Sequence, residues 1–499
     1  MAAAQRVPAD RIRCLNDAPL RAQGDYVVYW MTANRRAAWN YSLDRAIELA
    51  RELDKPLVVF EGLRAGYRWA NERLHRFVLD GMADNARAFE GTGVLYHPYV
   101  EPTEGAGSGA IEELARHACV VVTDDYPAFF LPRMAQTAAR RIDVPLEAVD
   151  SNGIYPLHGT DREFARAYDF RRFLQRELRP FLTQAPRREP LRSALQPLDR
   201  LPESFEQRWP RADAELLDAE GREGGLMELP VDHSVPPSPF RGGSRAATRC
   251  LRDFLGERSA RYGQDRNQPE ADGSSGLSPY LHFGQISAHQ IFHELVAAEG
   301  WDPSWLADTK SGKREGWWGA SAAAEAFLDQ LITWRELGFQ FCAKRPDYDQ
   351  LESLPDWAQR SLAEHAPDKR PHLYTLEQFE RAATHDDLWN AAQNQLRVEG
   401  RVHNYLRMLW GKKILHWSES PRAALEIMIE LNNKYALDGR DPNSYSGIFW
   451  TLGRFDRAWG PEREVFGKIR YMSSANTRRK LRVNEYIERW GEWRLAFPD

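Results

Sequence analysis

Five short apolar runs punctuate residues 24–150, separated by amphipathic stretches, and none follows Ser244; this change of rhythm leaves few architectures open. Tyr26–Met31 (YVVYWM) is unbroken by polar residues, the pattern of a strand buried on both faces. Leu43, Ala46, Ile47, Ala50 and Leu53 then mark one face of a helix, and Pro56–Phe60 (PLVVF) reads as the next strand. Further strands are expected at Gly93–Tyr96, Val120–Thr123 and Val144–Val149. Strand–helix alternation of this kind implies a parallel sheet covered by helices. Beyond Ser244 only helical spacing remains, at Ala246–Tyr262, Ala288–Ala298, Ala322–Ala343, Leu376–Ala383 and Val402–Trp417. The expected organisation is an extension (1–23), an α/β domain (24–150), a connecting region (151–243) and an all-α carboxy-terminal domain (244–499). The connecting region is rich in Pro and Arg over Leu178–Arg211 and ends in the breaker cluster VPPSPFRGG, Val235–Gly243.

Several function classes fall away. Neither GxGxxG nor GxxxxGK[ST] occurs in the α/β region, so dinucleotide and P-loop chemistry have no support there. Cys14, Cys119, Cys250 and Cys342 are far apart with no CxxC, which fits reduced thiols and neither a disulfide framework nor a metal site. The start lacks an apolar leader and no run approaches bilayer length, so a soluble, cytoplasmic protein with no membrane partner is expected, and separately a monomer. The formal net charge of -5 argues against wholesale electrostatic binding of nucleic acid but leaves room for a local basic groove.

Tryptophan is the outlier, with 17 residues, and five of them (Trp389, Trp410, Trp417, Trp450, Trp459) fall between His385 and Trp459. Within Val402–Trp417 the apolar positions Val402, Leu406, Leu409, Trp410, Ile414 and Trp417 recur at helical spacing. Asn404, Arg407, Trp410 or Gly411, and Trp417 therefore share a face, and a guanidinium, an amide, an indole and a bare glycine suit a flat ligand with polar edges. The competing reading is a set of core tryptophans on a buried helix. Upstream, Ser275-Gly276-Leu277-Ser278-Pro279 opens a helix with small hydroxylated residues, whose free N–H groups can face a phosphate or merely cap themselves. Downstream, Val465–Asn484 holds Lys468, Arg470, Arg478, Arg479, Lys480 and Arg482 without an acid, interleaved with Tyr471, Ser473, Ser474 and Asn476. That mixture suits phosphate and sugar contacts, extended by Lys310, Lys313 and Arg314, although a charge run is also how a plain solvated face looks.

The segments WNAAQ, VHNYLRM, KKILHW, LNNKYALDGRDPNSY and VFGKIRYM, with SGLSPYLHFGQIS before them and YVVYWMTANRR near the start, resemble class II cyclobutane-pyrimidine-dimer photolyases of the photolyase/cryptochrome family. The resemblance covers roughly residues 11–490 with a variable middle, and motifs matching in order are far more specific than any one of them. It implies FAD in the helical domain, its diphosphate at Ser275, Gly276, Leu277 and Ser278, with Tyr262 reaching in. Arg407 and Asp438 would form the family's ion pair beside the isoalloxazine; Asn404, Gly439 and Arg440 would add contacts. Either Asn432 or Asn443 would read flavin N5, and spacing from the tryptophans favours Asn432. Trp410, Trp389 and Trp417 match the family's electron relay, inner to outer. Trp334 and Trp450 match the two aromatic walls around a flipped-out dimer, photolyases being among the enzymes that take a base out of the stack. Four residues before Trp334 the family carries a glutamate, whereas this chain has Gln330, which can donate a hydrogen bond but cannot supply a proton. Lys468, Arg470, Arg478, Arg479 and Arg482 would hold the damaged DNA. The implied activity is light-driven repair by electron transfer from excited reduced FAD to the dimer; the alternative is a cryptochrome-like photosensor without repair, which the short tail after Trp490 disfavours. A (6-4) photolyase would need active-site histidines, for which only His282 and His403 offer themselves. Photolyase α/β domains often hold a second, antenna chromophore, whose identity no residue here specifies.

Overall fold

The computed structural model describes residues 6–192, 195–217 and 224–491. By contacts the chain forms two compact units that interleave in sequence: residues 1–160, 180–251 and 277–294 in the first, and 161–179, 252–276 and 295–499 in the second. Much of the proline- and arginine-rich connecting region thus belongs to the first unit.

The first unit is built on a six-stranded sheet in the order β1-β6-β5-β2-β3-β4. Its strands are β1 (Ile12–Cys14), β2 (Tyr26–Met31), β3 (Leu57–Leu63), β4 (Leu95–Val100), β5 (Ala118–Asp124) and β6 (Leu146–Val149). β2 through β6 pair in parallel, as the alternating pattern requires. β1 runs antiparallel to β6 and lies inside the expected extension; a three-residue strand, exposed at Arg13 and Cys14, has no apolar run to reveal it. Every residue of β2 and β5 is buried. Pro98 sits in β4, at an edge of the sheet, where its missing N–H costs no central ladder bond. Helices α1 (Tyr41–Glu52), α2 (Glu72–Phe89), α3 (Ala110–His117) and α4 (Leu131–Ala139) connect the strands, and Leu43, Ala46, Ile47 and Ala50 form the buried face of α1. Asn40 and Asn71 cap α1 and α2 by accepting backbone N–H groups of the first turn.

Among the described residues the second unit contains helices and isolated bridges but no strand. Its main helices are α5 (Ala167–Glu177), α6 (Ala322–Leu328), α7 (Arg335–Lys344), α8 (Asp387–Glu399), α9 (Asn404–Trp417), α10 (Pro421–Tyr435), α11 (Pro442–Thr451), α12 (Ser474–Lys480) and α13 (Asn484–Gly491). Two long helices expected from periodicity are irregular. The run from Ala322 to Lys344 is interrupted by a π-helical turn at Asp329–Trp334. The stretch expected as one helix, Ala246–Tyr262, contains a π-helical turn at Phe254–Arg258 and a 3-10 turn at Ser259–Arg261. Such turns keep the apolar spacing nearly intact, which is why periodicity does not register them; they recur at functional sites. The four cysteines are free, and no helix among the described residues is long and apolar enough to cross a membrane.

Candidate active site

The second unit brings the tryptophans together through α8 and α9. The Asp386 carboxylate caps α8 by accepting the Trp389 backbone N–H at 3.1 Å, and Gly400 ends the helix with a left-handed φ of 74°. The Trp389 indole N–H donates to the Trp410 carbonyl at 3.1 Å, and the Trp410 indole N–H donates to Gln393 Oε1 at 2.8 Å. These two bonds fix α8 against α9 and satisfy both buried indoles. The rings of Trp389 and Trp417 lie 6.2 Å apart at 68°. All three tryptophans are buried. Outward from Trp417 the file of rings continues to His385 at 4.9 Å and Tyr374 at 5.8 Å, and Tyr374 Oη is 2.7 Å from His385 Nδ1. Sequence reading missed these last two residues, although His385 stands only four positions before Trp389.

Arg407, on α9, forms a two-pronged ion pair with Asp438 at 2.8 and 3.3 Å. Its Nε is buried with no hydrogen-bond partner among the described residues, as expected where a ligand supplies the acceptor. Asn432, buried near the end of α10, commits its amide nitrogen to Ser444 Oγ (2.8 Å) and Asn433 Oδ1 (3.1 Å), which leaves its carbonyl oxygen as the group to offer. Asn443, the other asparagine considered, is exposed at the start of α11. Gly439 and Arg440 form the turn behind Asn432. A Cβ on Gly439 would lie 2.6 Å from the Asn432 carbonyl, and Arg440, at φ 66°, folds its buried guanidinium onto the Asn433 carbonyl. Asn404 is exposed at the first turn of α9. The sequence placed Gly411 on a ligand-facing surface as a bare spot; instead α10 and α11 close over it, with Thr451 Cγ2 2.7 Å and Met428 Sδ 3.1 Å from where a Cβ would be.

Tyr262 is buried, edge-on to Phe254 (5.7 Å) and Phe327 (5.2 Å). Ser275 and Gly276, the latter with φ 72°, close the segment of the second unit to which Tyr262 belongs, whereas Leu277 and Ser278 belong to the first unit. The helix they open, Ser278–His282, has five residues and a far smaller dipole than a full helix start.

Gln330 and Trp334 lie, half-buried, in the π-helical turn that interrupts the α6–α7 run. Asp329 anchors this turn to α5 through a buried pair with Arg171, Nε to Oδ1 at 2.7 Å and Nη2 to Oδ2 at 3.1 Å. Arg171 also reaches the Gly312 carbonyl at 3.3 Å, and Gln175 bonds Gly312 N and the Lys313 carbonyl. Neither Arg171 nor Asp329 stood out in the sequence, because nothing local marks an ion pair between positions so far apart.

Trp450, half-buried at the end of α11, has Lys412 Nζ 5.0 Å and the Arg470 guanidinium 5.5 Å from its ring centre. The basic stretch is less free than its composition implies. Arg470 pairs with Asp456 at 2.7 and 3.0 Å and stacks on Trp459, Lys468 pairs with Glu462 at 3.1 Å, Arg478 pairs with Asp387, and Arg479 bonds Asn476. The acids missing from Val465–Asn484 come from elsewhere in the chain. Arg482 is exposed, its backbone N–H donating to Gln268. Of the histidines considered, His403 has its pKa pushed down to about 4 by burial, so it is neutral. Among the described residues no group of His, Cys, Asp or Glu is arranged to hold a metal.

No protein-family model matches the chain. Its curated relatives include the deoxyribodipyrimidine photo-lyase of Methanothermobacter thermautotrophicus, 36% identical over 484 residues (97% of this chain, 98% of the relative). Those of Potorous tridactylus (34%, covering 96% of this chain and 84% of the relative) and Arabidopsis thaliana (33%, covering 98% and 94%) carry the same name. Among solved structures, a bacterial class III photolyase from Agrobacterium tumefaciens matches with a TM-score of 0.66 at 15% identity, covering 94% of this chain and 86% of that one, which supports the fold alone. On the strength of those near-full-length relatives, the chain belongs to the deoxyribodipyrimidine photo-lyase family.

Proposed function

We propose that the chain is a photo-lyase that splits cyclobutane pyrimidine dimers in UV-damaged DNA with FAD as its cofactor. The observation that carries this is a set of buried tryptophans, Trp389 bonded through its indole N–H to the Trp410 carbonyl and lying 6.2 Å ring to ring from Trp417, on a helix pair that also presents Arg407 with its orphaned Nε. The chemistry FAD supplies when bound is light-driven donation and recovery of one electron. Arg407, Asp438 and Asn432 would hold it, with Tyr262, Ser275, Gly276, Leu277, Ser278, Asn404, Gly439, Arg440 and Asn443 as further candidate contacts. The donor set fits: a guanidinium fixed by a carboxylate would offer positive charge to an electron-rich ring, and the Asn432 carbonyl would be free to accept a hydrogen bond from it. The tryptophans are read as the path by which an electron enters from the surface. Trp334 and Trp450 are read as the walls that stack a flipped dimer, and Gln330 as the donor to a pyrimidine carbonyl; as an amide it holds the base without changing charge. Lys468, Arg478, Arg479 and Arg482 would contact DNA phosphates, with Arg470 bracing Trp450 and Trp459.

The test is direct. Purified protein should show flavin absorption, and illumination with a thymine-dimer oligonucleotide should remove the lesion while a dark control keeps it. A preparation that is colourless and stays so when offered FAD, or one that leaves the dimer intact in light, refutes the proposal. Gln330→Glu should raise the repair yield per photon; a lower yield would show that the amide is the better partner here.

A further inference from the structure

Lys412 and Lys413 are neighbours on α9, yet each ammonium settles on a different tryptophan. Lys413 Nζ lies 4.8 Å from the Trp417 ring centre and 3.6 Å from Asp386. Lys412 Nζ lies 5.0 Å from the Trp450 ring centre and donates one hydrogen bond, of 2.7 Å, to the Thr451 carbonyl. Lys412 is 0% exposed, whereas Trp450 retains solvent-open surface. Placing a lysine out of water for a single carbonyl is unfavourable. Besides the charge of Asp456, the indole is a group within its reach that attracts a cation.

We propose that Lys412 is a positioning residue for lesion recognition, its ammonium holding the Trp450 indole in the orientation that receives a flipped-out pyrimidine dimer. This rests on the functional reading above and adds a regulatory consequence to it. The groups that face Lys412 are few. α11 contributes the Thr451 carbonyl and the Trp450 ring; the segment after α11 contributes Asp456 and Arg470; on its own helix, Lys413 is engaged with Asp386. Burial acts to raise the Asp456 carboxyl, but hydrogen bonds from Arg470, the Arg457 N–H and Trp459 outweigh it, so Asp456 stays ionised at neutral pH. Lys412 titrates near neutrality, because burial, opposed by Asp456 and aided by Arg470, pushes its ammonium down to about 7. Below that pH the cation grips the ring; above it a neutral amine remains and the attraction to the ring is lost. Affinity for the dimer therefore falls as pH rises through about 7.

The experiment measures binding of the FAD-loaded full chain to a thymine-dimer duplex and to the matching undamaged duplex, in the dark, from about pH 6 to about pH 9 at fixed ionic strength. The unsubstituted protein should lose affinity for the dimer by about three- to tenfold across neutrality, the worth of one desolvated cation–π contact, with little change on undamaged DNA. Lys412→Met should bind the dimer at the weaker level throughout and show no step. Trp450→Leu, which leaves Lys412 in place, should also lose the step and keeps the test available if the lysine variant does not fold. A Lys412→Met or Trp450→Leu protein that retains the full step overturns the proposal. Failure of the unsubstituted protein to distinguish damaged from undamaged DNA at any pH overturns the functional reading itself, a separate result.

Discussion

Arg171→Met isolates what holds the π-helical turn in place. Arg171 and Asp329 are 8% and 5% exposed at their side chains, joined by bonds of 2.7 and 3.1 Å, with a third bond from Arg171 to Gly312 at 3.3 Å. Removing one partner of a buried pair leaves a stranded charge and costs about 3–5 kcal/mol. Arg314 Nε stands 4.0 Å from Asp329 but is 62% exposed, so its screened charge offsets only part of this. A loss near the lower bound, about 3 kcal/mol, corresponds to a fall in Tm of roughly 6–12 °C for a unit of this size. Thermal unfolding followed by circular dichroism measures it. Arg171→Met combined with Asp329→Asn should recover at least half the loss, because the stranded charge is gone. Well below either Tm, the single variant should still bind a dimer duplex more weakly, since Gln330 and Trp334 ride on the turn that Asp329 anchors. If the single variant unfolds within about 1 kcal/mol of the unsubstituted protein, or the double variant is no more stable than the single, the pair is not what fixes the turn.

Other substitutions test the remaining parts. Gly411→Ala should destabilise by about 1–2 kcal/mol, the strain against Thr451 and Met428 exceeding the helical preference of alanine; a stabilised protein would mean α10 yields freely. Trp389→Phe removes both the middle indole and its bond to the Trp410 carbonyl, and light-driven reduction of bound flavin by an external donor should collapse to background; a rate equal to that of the unsubstituted protein would exclude the file as a route. Neutralising Arg478, Arg479 and Arg482 together should weaken damaged-DNA binding and flatten the slope of log K against log salt by about 2, not the roughly 2.7 of three free cations, because Arg478 is already paired with Asp387.

Much of this arrangement was legible in the sequence where the signal is local. The unbroken run Tyr26–Met31 is β2 to the residue, and Leu43, Ala46, Ile47 and Ala50 are the buried face of α1. Helical spacing places Trp410 and Trp417 on one helix, as the structure does. What escaped is non-local. β1 is too short to carry a pattern, and the interleaving of the two units depends on contacts that no composition shift announces. The Arg171–Asp329 pair joins residues 158 positions apart, and Asp387, Asp456 and Glu462 neutralise a stretch that looks purely basic in isolation. Gly411 illustrates the remaining gap: helical spacing assigns it a face, but only packing tells whether that face meets a ligand or a neighbouring helix.

The acceptors chosen by the two inner indoles have a chemical corollary. Trp410 rests its N–H on the amide oxygen of Gln393, and Trp389 rests its own on a peptide oxygen. Amide oxygens are far too feeble as bases to strip a proton from an ionised indole. In the proposed route an indole that surrenders an electron therefore keeps its hydrogen, and the positive charge is free to migrate to the next ring instead of becoming trapped as a neutral radical deep in the protein.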